Sequence, residues 1–200
     1  MSNISPRLQK GALLTFDPIL GIPLNTIMLQ YNPETLSRSL KPQSVGDEPD
    51  RTEILRLKGP PVETIKCDVE LDATDQLANS DATTIALGIQ PQLSVLELLV
   101  YPSSAVLIAN EVLSLLGTVE ILPMESALTV FAWSKSRITP VRITDLEITE
   151  EAFDPQLNPI RAKISLGMRV LSVNDVGFLT PAGALYMIYQ LTKESLAQRA

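Results

Sequence analysis

The residues best equipped for chemistry are five acids near one another, Asp145, Glu147, Glu150, Glu151 and Asp154. Paired carboxylates do general acid–base work in glycoside cleavage, and clustered oxygen ligands hold calcium. Here Asp145 and Glu147 fall inside a strand pattern, the others lie at its end, and no EF-hand spacing is present. Solvated structural charge is the expected role. Histidine is absent from the 200 residues, so neither a Ser-His-Asp triad, a Cys-His pair nor a histidine metal site can form. Proton transfer would fall to Asp, Glu, Lys or Tyr. Cys67, the one cysteine, leaves no partner for an intrachain disulfide and reads as a small core residue. The nine glycines form no phosphate-cradling loop. No catalytic, cofactor-binding or metal-binding residue is therefore assigned, and no enzyme activity is expected. Trp133 reads as a core or interface aromatic. Arg142, inside an apolar strand, needs either an acid on a neighbouring strand or a side chain that reaches solvent.

These residues need a scaffold, and composition bounds it. With 45% hydrophobic and 20% charged residues, the chain is expected to fold as a single domain, 1–200. Sixteen Lys and Arg against 23 Asp and Glu give a formal charge of −7, which argues against nucleic acid as the main partner. No signal-peptide-like run opens the sequence, and Leu93–Leu116 is interrupted by Glu97, Pro102, Asn110 and Glu111. Cytoplasmic synthesis without membrane insertion is expected.

Hydrophobic periodicity predicts mostly strands. Lys10–Phe16 and Leu24–Tyr31 should form a hairpin, followed by a short strand at Leu36–Leu40. Residues 42–50 read as a polar loop and a candidate contact with a neighbouring layer, Glu53–Lys58 as a strand, and 1–9 as a mobile terminus. In Val62–Leu71, Ile65, Cys67, Val69 and Leu71 face one way and charges the other. Residues 72–83 read as a loop with a helical turn. A helix starts at Gln90-Pro91 and stops at Tyr101-Pro102. Ala105–Leu116 suits a second helix capped by Gly117, or a strand. Thr118–Leu122 and Ala127–Ser134 read as strands; the second is apolar on both faces, so it is covered twice or lies at a subunit contact.

Two strands carry more information. In Ile138–Thr149 the apolar parity switches from Val141 and Ile143 to Leu146 and Ile148, which predicts a bulge near Thr144-Asp145 and a bent strand. In Ile160–Val170 the even-numbered residues face in, while Arg161, Lys163 and Arg169 make the outer face basic, turned to solvent or to an acidic neighbour. The tail, 182–198, is a helix with a stripe of Leu185, Ile188, Leu191 and Leu196, docked on its own sheet or on another subunit. The resulting class is α+β, mainly antiparallel β.

Three stretches resemble a known family: LLTFDPILGIPLNTIMLQYNPETLSRSL (13–40); Phe131–Trp133 followed by PVRITDL (140–146); and ITEEAFDPQLNPIRAKISLGMRV (148–170). Together they are similar to the contractile injection system tube protein family, the baseplate tube initiators of phage-tail-like particles. The resemblance implies a phage-tail-tube-like fold, with curled sheets forming a barrel-like body, a flanking helix and a C-terminal helix. It also implies a homo-oligomeric ring, expected to be a hexamer, between the spike hub and the inner tube, touching other baseplate proteins and starting tube assembly. Relatives often carry a LysM domain after the helix; that portion is expected to be missing here. An ordinary inner-tube subunit is the neighbouring reading, and a small-ligand-binding β-barrel the reading of another class. Candidate interface residues are Phe131, Trp133, Arg142, Arg161, Lys163 and Arg169. Six copies at −7 each would carry −42, so a bare ring should be disfavoured at low salt.

Overall fold

The computed structural model describes residues 9–17, 21–44, 56–116 and 126–200. The expected strand at 118–122, the Gly117 cap, residues 1–8 of the terminus, 45–50 of the loop and 53–55 of the strand before Lys58 lie outside them.

The fold is α+β and mainly antiparallel β. Its strands are β1 (Ala12–Phe16), β2 (Pro23–Met28), β3 (Leu36–Lys41), β4 (Val62–Asp72), β5 (Leu128–Ser134), β6 (Arg137–Phe153) and β7 (Pro159–Val170). They form one sheet in the order β2-β1-β5-β6-β7-β4-β3. The expected β1–β2 hairpin is present, with Ala12 opposite Met28. Of the strand expected at Glu53–Lys58, the described part makes only an isolated bridge between Leu57 and Ser44.

The sheet must curl. Gln30, two residues past β2, donates from Nε2 to the Asp72 carbonyl (2.6 Å) and accepts from the Asp72 amide (2.9 Å) at the end of β4. In a flat sheet β2 and β4 would be five strand spacings apart, roughly 24 Å. Two residues reach only about 7 Å, and a glutamine side chain adds a few more. Curling brings the edges together, but β2 and β3 do not pair, so the sheet stays open. The barrel-like expectation is corrected to that extent.

The predicted bulge is found: the β6–β7 register skips between Ile143 and Asp145. The extra residue lets Val141 and Ile143 before it, and Leu146 and Ile148 after it, all pack on one core. Opposite the skip stands Gly167, where a Cβ would lie 2.9 Å from that of Asp145. The register shifts again on either side of Ala152, toward the far end of β6.

Leu13, Ile65, Phe131, Ile164, Leu166 and Met168 are almost wholly buried and form the heart of this core. β5 is covered on both faces: Phe131 joins the main cluster, while Leu128 and Val130 join a second one with Ala182. That resolves its two apolar faces within the chain.

The helices are α1 (Thr74–Ala78), α2 (Ala82–Leu87), α3 (Gln90–Glu97), α4 (Ser104–Leu115), α5 (Val173–Val176) and α6 (Pro181–Ala197). The loop expected at 72–83 is therefore largely helical. The Asp81 carboxylate accepts from the Thr84 amide at 2.9 Å and starts α2. α3 sends Leu93 and Leu96 into the core. The segment after Pro102 is a helix rather than a strand, yet α4 buries none of its residues.

α6 corrects the predicted stripe. It docks through Ala182, Gly183, Tyr186 and Tyr189; of the stripe only Leu185 packs, half-buried, on the second cluster, while Ile188, Leu191 and Leu196 stay exposed. Small residues at the contact allow close approach: a Cβ on Gly183 would lie 2.1 Å from the Gly177 carbonyl oxygen.

Candidate functional site

The basic outer face of β7 finds its acidic neighbours inside the chain. Sheet pairing puts Asp72 opposite Arg161 on β4, and Arg161 holds its carboxylate at 2.7 Å. Lys163 meets Glu151 of β6 at 2.8 Å, and Arg169 meets Asp175 of α5 at 2.6 Å. Asp72 sits below its usual pKa, first through the Thr74 hydroxyl and amide and then through Arg161. Its hydrogen bond and charge raise Arg161, and Glu151 does the same for Lys163. Three of the proposed interface cations thus already hold partners; Arg161 and Lys163 do so at exposed positions where such pairs contribute little, whereas Arg169 is half-buried and its buried Nε has no hydrogen-bond partner.

The other three candidates occupy different settings. Phe131 is buried in the core and presents no side-chain surface to a neighbour. Trp133, half-buried, stacks on Phe131 with ring centroids 5.9 Å apart. Arg142 is exposed, and its cross-strand partner is another cation, Arg169. Reaching solvent, the second of the two expected roles, is the one observed.

The five acids form no common site: Glu147 and Glu150 are exposed on β6, and the other three sit in separate settings. Asp145 sits at the bulge and Glu151 binds Lys163. Asp154 builds the β6–β7 turn: Oδ1 accepts from the amides of Gln156 and Asn158, both at 2.8 Å, and Oδ2 accepts from the Asn158 side chain at 2.8 Å. These bonds, that from Asn158 foremost, hold Asp154 below the usual carboxylate range. Among the described residues no group of three or more Cys, Asp or Glu side chains is placed to hold a metal ion.

The motif residues behind the family resemblance do the same kind of work. In QYNPETL, Gln30 ties to Asp72. Asn32 accepts from the Gly11 amide at 2.9 Å and donates to the Gln9 carbonyl at 2.8 Å. In FDPQLNP, Asp154 and Asn158 close a turn in which Leu157 takes a left-handed φ of 67°. Asn158 also donates to the Ala86 carbonyl at 3.2 Å, fastening that turn to the end of α2. Both motifs fix irregular connections through side-chain-to-backbone bonds.

The strongest electrostatic cluster was not singled out in the sequence. Glu63 of β4 is only 3% exposed. Its Oε1 accepts from Arg38 Nε (2.9 Å), Arg38 Nη2 (2.6 Å) and the Tyr189 hydroxyl (3.0 Å); its Oε2 faces Lys193 Nζ at 3.3 Å. The Lys193 ammonium also lies 3.8 Å from the centre of the Tyr189 ring. Burial works against the Glu63 charge, but the Arg38 hydrogen bond, Lys193 and Tyr189 together keep its pKa below the ordinary value. Burial, aided by Glu63, pushes the Tyr189 hydroxyl up to about 12, so it remains a donor. The cluster binds α6 to β3 and β4. A signal was available, because Glu63 shares the parity of Ile65, Cys67, Val69 and Leu71, an acid in the buried register. Cys67 itself is buried, its thiol pushed up to about 11 by desolvation and then by Asp68.

No family model matches the chain, and no curated protein matches it. No described helix is long and apolar enough to cross a membrane.

Proposed function

We propose that the chain is a structural ring subunit of a contractile injection machine, a baseplate component that joins the spike hub to the inner tube and initiates tube assembly. The observation that carries this reading is the pairing of motif with architecture. In two of the three stretches resembling the tube-protein family, at 30–36 and 153–159, side chains fasten irregular connections of a curled, bulged, open antiparallel sheet. An open sheet exposes strand edges that a neighbouring subunit can cover, and a head-to-tail contact closes into a ring when its rotation permits. The test is removal of the gene from cells that make the particle. Tube protein should stay unassembled, and the full chain supplied in trans should restore tubes. Normal tubes in its absence would overturn the reading.

A further inference from the structure

Two helices expose apolar seams of the same spacing. On α4 the half-buried residues Val106, Ala109, Asn110 and Leu113 mark the inner side. The outward seam is Ala105, Ile108, Val112 and Leu115, steps of three, four and three, flanked by exposed Leu116 on one side and Glu111 on the other. On α6, opposite the face that carries Tyr186 and Tyr189, runs Ala184, Ile188, Leu191 and Ser195, in steps of four, three and four. Glu111 is the only charged residue within α4, and the α6 seam has none. Alternating steps of three and four are what paired helices need to interdigitate.

We infer that α4 of one copy packs along α6 of the next, a head-to-tail contact between two different faces of the same chain. This rests on the ring reading for its symmetry and names the surfaces that would form the ring. Area favours a second copy as the occupant. The large apolar side chains of the two seams, with Leu116 beside the first, are each about half to three-quarters exposed. Summed over both faces of the contact they offer roughly 650 Å² of apolar surface, gathered in two stripes rather than scattered singly. Interfaces are about 60% apolar, so this corresponds to roughly 1,100 Å² in all, just above the roughly 1,000 Å² that a specific contact should clear. A symmetric α4–α4 or α6–α6 contact would cover one seam and leave the other in water. The head-to-tail contact covers both with a single operator and repeats around a ring.

The test is cysteine crosslinking of the full chain at high salt. Cys67 stays in place, since it is buried and holds its proton. The double variant Ile108→Cys with Ile188→Cys should give a ladder of covalent multimers on oxidation, roughly tenfold or more above either single variant, because a disulfide needs close Cβ atoms. Ile108 and Ile188 are exposed, so the fold tolerates both changes, and circular dichroism checks that it does. Electron microscopy of the same samples separates the two claims. Rings without the ladder would overturn the helix pairing and leave the ring reading standing. A ladder in open chains would support the pairing and count against the closed ring. Crosslinking in a single variant alone would show a symmetric contact and overturn the pairing.

Discussion

The Glu63 cluster and the outer row of β7 are built from the same chemistry, Arg and Lys against carboxylates at 2.6–3.3 Å, in opposite surroundings. Around Glu63 the carboxylate is out of water and every partner is needed. Along β7 the Arg161 and Lys163 pairs lie at the surface, where solvent replaces a lost partner at little cost. The first set holds a helix to a sheet edge; the second keeps a charged face satisfied without shaping the fold.

The strongest way to break this contrast is Glu63→Ala, which leaves Arg38, Lys193 and Tyr189 facing an empty site. Loss of about 2–4 kcal/mol is expected in urea unfolding. A loss near zero would place Glu63 with the surface pairs.

Acidification sharpens it. Glu63 has a folded pKa below its ordinary value, so its contribution is complete above roughly pH 4.3 and fades as pH falls through the folded pKa. Asp72 and Asp154, held low chiefly by Thr74 and Asn158, titrate with the same sign. Thermal melts should therefore fall steeply below about pH 4, and Glu63→Gln should make that fall shallower. An unchanged slope would remove Glu63 from the account.

Tyr189→Phe takes one donor from the cluster and keeps the ring beneath Lys193. A loss of about 1 kcal/mol is expected, read from the denaturation midpoint. Smallest of all, Lys163→Ala should leave the midpoint within error, since Glu151 then turns to water. A clear shift would show that the outer row also braces the sheet.

Much of the scaffold was legible because a half-buried strand prints its environment at period two. The alternation in β4 and β7, and the parity switch that locates the bulge beside Thr144, depend only on side-chain direction. Long-range pairing was not legible. The acids that satisfy Arg161, Lys163 and Arg169 come from β4, β6 and α5, and only sheet order brings them near. α6 misled for another reason: its buried contact uses glycine, alanine and two tyrosines, one bonded to a buried acid, with Leu185 and Met187 half-buried beside them, while Ile188, Leu191 and Leu196 face outward. Hydropathy points to Ile188 and Leu191, but close approach and hydrogen bonding select the opposite face.

Copy number in the native particle tests the central claim most directly. Large assemblies from the source cells would be sedimented, and this protein quantified by mass spectrometry against the tube and sheath proteins. A ring-forming initiator predicts a single ring's worth per particle. Abundance equal to the main tube protein would make it a tube subunit, and recovery only in the soluble fraction would contradict the assembly role altogether.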